Sequence, residues 1–460
     1  MIIAITTFFQ SQTNYGQLLQ AYALQQTLMQ MGHYPYIIRY GFHEQLQSLL
    51  CFDFPKVDMA KLQKNLHLSA EGGDQNCRRF DDFRRHHLNL SVNAYNELEE
   101  LQICPPIADC YITGSDQVWA QLLCHENNRI FFLDFGSKNI NRVAYAPSFS
   151  MDAYPEELND ILNENLRRFN AVSVREKTGV KICEKLGVNA EWVLDPTMLL
   201  EGAYYRQLAK ESTTQLPNNY MLVYHVNVER KDLPCWQAIK QYNQLQGITA
   251  VAVFANGEGR NDMEFLDEAE YMYPTIQDWL RLIDGSRYVL TTSFHGMIFS
   301  ILLHKPFLVS LRPDGMFAGN NRVMSILTAL GLQQRVVTTD TDIAQLMSDN
   351  IDWAEIDHRV ELLRNHSLAY LRKSLHVELR KDTVEELYDR QIRYASYMNN
   401  KIATLIEINR NKGEQTSQLK DNIRYLEGKY KKHMRVIRWL GFISVWLLAV
   451  NIVLLFIFVF

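Results

Sequence analysis

The sequence lacks the signatures of the best-marked catalytic machineries. It has no G-x-x-x-x-G-K-[ST] phosphate loop and no G-x-G-x-x-G fingerprint, which removes two common nucleotide cradles. An H-E-x-x-H helix and a G-x-S-x-G elbow are also missing, so neither a zincin centre nor a hydrolase nucleophile is expected. The seven cysteines (Cys51, Cys77, Cys104, Cys110, Cys124, Cys183 and Cys235) are odd in number and scattered, without a C-x-x-C pair. That excludes a disulfide framework and a structural zinc site, and reads as thiols of a reducing compartment. The net charge is only -5, with acids and bases mixed along 460 residues. A nucleic-acid partner, which needs a basic excess to neutralise phosphates, is not expected. The N-terminal MIIAITTFF has no positive n-region and no small-residue cleavage site, and reads as a first strand rather than a secretory signal.

Long apolar runs are equally scarce, with one exception. WLGFISVWLLAVNIVLLFIFVF (Trp439 to Phe460) is uncharged, and Asn451 is its strongest polar interruption. About 20 such residues span the hydrocarbon core of a bilayer. The alternative, a buried globular helix, rarely stays apolar on every face for this length. Lys429, Lys431, Lys432, Arg435 and Arg438 precede the run, so the positive-inside rule leaves the chain before Trp439 in the cytoplasm. The expectation is a protein anchored in the membrane by a single C-terminal helix, its globular part cytoplasmic.

The chain is too long for one ordinary domain. IIAIT, a helical stretch from Tyr15 to Met31 closed by Gly32, and YPYIIRY begin a strand–helix alternation. It continues through DCYIT, RIFFLDF, RVAYAPSF, NAVSVR and AEWVLD, with helices at Pro155–Phe169 and Glu176–Leu186. A poorer stretch around RRFDDFRRHH, about 41–106, reads as a helical insertion. A second alternation carries YMLVYHV, ITAVAVF, RYVLTT and PFLVS. The fold class is therefore α/β, with Rossmann-like domains at 1–200 and 201–375 and a ligand cleft between them. Residues 376–438 form a helical linker. Its heptad seam through Val384, Tyr388, Ala395, Met398, Ile402, Leu405, Leu419, Ile423, Leu426 and Tyr430 is interrupted by Gln391, Asn409, Lys412 and Thr416. That seam is a route to a homo-oligomer, with a plain surface helix as the alternative. The transmembrane helix at 439–460 follows.

The polar groups concentrate in turns after strands. In TNYGQLLQAYAL, Asn14, Tyr15 and Gly16 open the first long helix, as an anion or hydroxyl site or as an N-cap. GSDQVW supplies Ser115, Asp116 and Gln117 beside an aromatic wall, Trp119, an inventory suited to a sugar, or to a turn and helix cap. SVREKTG places Arg175 at a strand end, where a guanidinium grips phosphate or carboxylate bidentately unless it is a surface ion pair. TTSFHGMIFS puts Ser293, His295 and Gly296 at a strand-to-helix turn, and Arg322 follows in GNNRVMSILTALGL. The open ends of α/β sheets bind ligands at such turns.

Taken in order, NYGQLLQAYALQ, GSDQVW, YAPSF, SVREKTG, VLDPTMLL and TTSFHGMIFSILLHKPF resemble the polysaccharide pyruvyl transferase family, from the N-terminus to about Arg335. The resemblance implies two Rossmann-type domains across a cleft (the GT-B arrangement). It also implies phosphoenolpyruvate as co-substrate, with no cofactor and no metal, and a sugar of a cell-surface polysaccharide or its lipid-linked precursor as acceptor. It makes His295 the catalytic acid, assisted by Asp116, and assigns donor binding to Arg175, Arg322, Ser293 and Gly296. Asn14, Tyr15, Gly16, Ser115, Gln117 and Trp119 would line the acceptor side or the cleft. One departure stands out: family members carry R-L-H-G where this chain reads Ser293-Phe294-His295-Gly296. Either Arg322 or Arg312 supplies the missing charge, or the donor is another molecule. A GT-B glycosyltransferase using a nucleotide sugar and a catalytically degenerate, membrane-anchored glycan-assembly protein are the alternative readings.

Overall fold

The computed structural model describes residues 1–41, 78–120, 126–226, 235–253, 255, 269–312, 319–377 and 379–410, the last with gaps at 378, 391, 398, 401, 405 and 408–409. Residues Met1–Asp382 form one compact unit and Thr383–Phe460 a second.

The first unit contains two parallel sheets. β1 (Ile2–Thr6), β2 (Tyr34–Tyr40), β3 (Leu90–Tyr95), β4 (Cys110–Thr113), β5 (Asn141–Ala144), β6 (Ala171–Val174) and β7 (Glu191–Trp192) stand in the order β3-β2-β1-β4-β5-β6-β7. β8 (Tyr220–Tyr224), β9 (Thr249–Val253), β10 (Glu270–Met272), β11 (Tyr288–Thr291) and β12 (Phe307–Val309) stand in the order β10-β9-β8-β11-β12. Every pairing is parallel. Central strands such as IIAIT and YMLVY are apolar throughout because helices cover both faces of a parallel sheet. The strand order reverses between β1 and β4 in one sheet and between β8 and β11 in the other. These are the switch points beside which crevices open at the carboxyl ends of strands.

The helices of this unit, in chain order, are α1 (Tyr15–Gln30), α2 (Phe80–His87), α3 (Leu98–Ile103), α4 (Asn159–Leu166), α5 (Lys177–Lys185), α6 (Gly202–Ala209), α7 (Trp236–Gln246), α8 (Ile276–Gly285), α9 (Phe294–Leu302), α10 (Asn320–Leu330), α11 (Ile343–Ser348) and α12 (Trp353–Leu375). Asn14 caps α1 by accepting from the Gln17 amide at 3.2 Å, and Gly32 follows the helix at φ +83°, where a side chain would be strained. The two halves share one apolar core. Tyr15 of α1 stacks on Trp279 of α8 with ring centroids 5.1 Å apart, and both rings meet Tyr224 of β8 edge-on. α12 returns from the second half to the first sheet. The Ser367 hydroxyl accepts from the Leu194 amide at 2.9 Å, and the Tyr370 hydroxyl donates to the Ala144 carbonyl at 3.1 Å.

Three expectations change. RIFFLDF is not a strand: residues Glu126–Phe132 form a 3-10 turn that buries Ile130, Phe131 and Phe132. A short apolar run carries no period that separates the two conformations. AEWVLD pairs only over Glu191–Trp192. The segment read as a helical insertion holds β3, an edge strand exposed at Val92, Asn93 and Ala94; its residues 42–77 lie outside the described ones.

In the second unit, Thr383 and Glu386 form a reciprocal cap, each side chain accepting from the other's amide at 3.2 and 2.8 Å. The seam positions Val384, Tyr388 and Ile402 are exposed. Met398, Leu405, the later heptad positions and the apolar run 439–460 lie outside the described residues. Among the described residues no helix is long and apolar enough to cross a membrane.

Candidate active site

Both switch points open on one polar cavity. The first sheet contributes Asn14 after β1, Asp116 and Gln117 after β4, and Arg175 after β6. The second contributes Val226 after β8, Thr292, Ser293, Phe294 and His295 after β11, Arg312 after β12, and Arg322 in α10. Residues scattered from 14 to 322 meet because each sits at the carboxyl end of a parallel strand or in the helix that faces it.

Asp195, just beyond β7, is the node of the network and is fully buried. Its Oδ1 accepts from the Thr197 amide at 3.0 Å and the Thr197 hydroxyl at 2.8 Å. Its Oδ2 accepts from the Ser115 hydroxyl and from Arg175 Nη1, both at 2.8 Å. His295 Nε2 lies 3.6 Å from that same oxygen, close enough for charge pairing and too long for a hydrogen bond. Burial alone would raise the Asp195 pKa, but His295, Arg175 and the Thr197 amide reverse this and hold it far below the usual carboxylate range. Sequence reasoning missed this residue, although VLDPTMLL contains it. The Asp-Pro pair at a strand end, which starts a 3-10 turn, was the available signal.

Arg175 is 1% exposed. Besides Asp195 it reaches Asp116 Oδ1 at 3.2 Å through Nη2, and its guanidinium lies 5.0 Å from the Phe294 ring centre. Burial works against its charge, yet Asp195, Asp116 and Glu176 outweigh burial and raise its pKa. Arg322 lacks such support. Burial, with Arg175 and Arg312 nearby, pushes its pKa down to about 9, still a cation at neutral pH. Its Nη1 reaches the Ser150 hydroxyl at 3.4 Å, and its guanidinium lies 5.9 Å from the Phe294 ring centre. Three buried donors at this site have no hydrogen-bond partner among the described residues: Arg175 Nε, Arg322 Nε and His295 Nε2. Leaving such groups unpaired costs about 1 to 3 kcal/mol each, more when charged, which an anionic ligand would recover.

The histidine is fixed by a glycine from the other half. A Cβ on Gly16 would stand 2.1 Å from His295 Nδ1 and 2.2 Å from Cγ, so the imidazole packs directly on the α1 backbone. Asp116 adopts φ +76°, a strained value for a residue with a side chain. Its carboxylate binds Arg175 and the Gln117 amide, which makes it a holder of the arginine. Gln117 in turn donates to the Ser150 hydroxyl at 2.5 Å.

Three expected site residues serve packing instead. Trp119 is fully buried, stacked on Phe132 at 5.3 Å, with its indole N–H donated to the Phe131 carbonyl, so it is core rather than a cleft wall. Tyr15 is equally buried, and its hydroxyl donates to the Pro274 carbonyl at 2.7 Å. Gly296 gives its amide to the Ser293 cap and lets α9 close on β11, where a Cβ would meet Thr291 Oγ1 at 2.4 Å. An amphipathic aromatic reads the same way in sequence whether its polar tip meets a ligand or a backbone carbonyl. Ser293 lines the cavity but spends its hydroxyl capping α9. Among the described residues the arginines that line this pocket are Arg175, Arg312 and Arg322. Among the described residues no three His, Cys, Asp or Glu side chains are grouped to hold a metal ion.

Two parallel α/β halves close on a cationic pocket with one histidine, an arrangement suited to an anionic ligand. The family profile described as polysaccharide pyruvyl transferase matches residues 14–312, and the chain belongs to that family. No curated protein matches it in sequence. Among solved structures it is similar to UDP-N-acetylglucosamine 2-epimerase from Rickettsia bellii, at 9% identity and TM-score 0.43 over 81% of this chain and 96% of that one. The UDP-GlcNAc 2-epimerase from Neisseria meningitidis gives 10% identity and TM-score 0.41 over 82% and 99%. Spinosyn rhamnosyltransferase gives 11% identity and TM-score 0.38 over 82% and 100%.

Proposed function

We propose that this transferase moves pyruvate from phosphoenolpyruvate to two hydroxyls of one sugar in a surface polysaccharide or its lipid-linked precursor, forming a ketal. The observation that carries this reading is the set of unpaired buried donors on Arg175, Arg322 and His295 at one cavity. A small dianionic phosphate with an adjacent carboxylate matches two guanidiniums and an acid better than a neutral ligand does. Arg322 and Arg312 line the same cavity as Ser293, and either could supply the charge that the resemblance expects at that position. The proton on His295 Nε2 would pass to the methylene carbon, leaving an oxocarbenium-like centre at C2. One sugar hydroxyl adds there, phosphate departs, and a second hydroxyl closes the ring. Of the two hydroxyl protons, one restores His295 and the other leaves with phosphate. Arginines held without water around them stabilise the phosphate as the C–O bond breaks.

The test is to incubate the full-length protein with phosphoenolpyruvate and candidate glycans. Phosphate release that requires acceptor, with a new ketal methyl signal by NMR, is the expected result. Turnover of a nucleotide sugar in place of phosphoenolpyruvate would overturn the donor assignment.

The apolar run 439–460 and the basic residues before it support a second element of the same reading, a cytoplasmic enzyme held at the membrane where lipid-linked acceptors are assembled. Removing 439–460 is expected to move the protein from the membrane fraction to the supernatant. Unchanged sedimentation would refute the anchor.

A further inference from the structure

We propose that Asp195 is the positioning residue of this site: one carboxylate that sets the charge of His295 and the place of Arg175 together, so that proton donor and anion clamp keep a fixed spacing. The inference deepens the pyruvyl transfer reading and rests on it only where turnover is measured.

The geometry assigns the two Asp195 oxygens different work. Oδ1 is tied to the Thr197 amide and hydroxyl, which fixes the carboxylate's rotation. Oδ2 faces the site and takes the Ser115 hydroxyl and Arg175 Nη1 at 2.8 Å each. At 3.6 Å the His295 ring feels the charge of Oδ2, while its Nε2 proton stays outside a hydrogen bond. That is the arrangement an acid needs: a ring nitrogen beside a buried carboxylate yet open toward a ligand. The groups that face His295 are unequal in sign. Asp195 and, through Arg175, Asp116 favour the imidazolium, whereas Arg175, Arg312 and Arg322 oppose it. From α1 the ring meets the Gly16 backbone, which brings no charge. Among the described residues the Asp195 carboxylate is the one that pairs with the His295 ring, in a cavity otherwise lined by three arginines.

Asp195→Asn in the full-length protein keeps the shape and removes the charge. Two readouts separate positioning from scaffolding. The ring titration of His295, followed by NMR with histidine-labelled protein and assigned with His295→Gln, is expected to move to lower pH by roughly one to three units, and needs no substrate. With phosphoenolpyruvate and acceptor, the rate is expected to fall on the order of 100-fold at neutral pH, its alkaline limb shifting the same way. A residue that merely supported the fold would lower the melting temperature and leave both curves in place. Should Asp195→Asn fail to fold, Thr197→Val frees Oδ1 and lets the carboxylate turn, and a smaller shift in the same direction is expected. A ring titration unmoved in the folded variant overturns the proposal. A moved titration with no phosphoenolpyruvate turnover in wild type would instead refute the donor and leave Asp195 in its role.

Discussion

His295→Gln is expected to lower turnover by a factor of about 100 to 10,000, the range that a positioned proton donor contributes. The loss should fall on kcat, with KM for phosphoenolpyruvate changed far less, because the arginines rather than the histidine hold the anion. Stability should fall by only about 1 kcal/mol, since glutamine fills much of the imidazole's space against Gly16 and Phe294 and opens no large cavity. Steady-state kinetics beside a thermal melt check all three expectations. A variant with wild-type kcat would remove His295 from the chemistry, and a tenfold rise in KM at constant kcat would make it a binding group.

This prediction separates what sequence reading gives from what needs coordinates. The helix Tyr15–Gln30 and the strands at 110–113, 171–174 and 288–291 were legible because a long run closed by Gly32 and short β-branched runs differ plainly. Arg175, Asp116, Gln117, Ser293 and His295 were legible as cavity-lining residues because parallel strands end at ligand crevices, so polar turns after such strands carry prior weight. Trp119 and Tyr15 failed by the same rule. Each lies within a few residues of a lining group, yet Trp119 sits in a turn and Tyr15 opens α1, and both side chains point into the core. Asp195 was missed for another reason: the Asp-Pro pair marks its turn but not its role. A buried carboxylate has meaning only through its partners, and Ser115, Arg175 and His295 lie far from it in sequence. Gly16 shows this most clearly: the local turn picks it out, but its need arises from an imidazole 279 positions away in the other half of the unit.

Arg175→Ala should be the most destabilising change at the site, by about 3 to 5 kcal/mol, because it strands the fully buried Asp195 carboxylate and leaves Asp116 strained without its partner. Arg175→Lys is expected to recover part of that stability. An ammonium reaches one carboxylate but cannot span both while keeping a further donor for the ligand. Donor affinity should therefore stay low in the lysine variant even where the melting point returns, and that split marks a clamp rather than a scaffold. The double variant Arg175→Ala/Asp195→Asn should cost less than the sum of the single changes, since the second removes the charge that the first left unpaired. The pH dependence has a definite sign. In wild type the Asp195 pKa lies far below its unfolded value of about 3.9, so its contribution is complete above that pH and is lost as pH falls below it. Without Arg175 the folded pKa moves up toward the unfolded one, and the variant should lose less stability than wild type between about pH 5 and 3. Urea midpoints of both proteins across that range measure the difference. Equal acid sensitivity would mean that His295 and the Thr197 amide hold the carboxylate unaided.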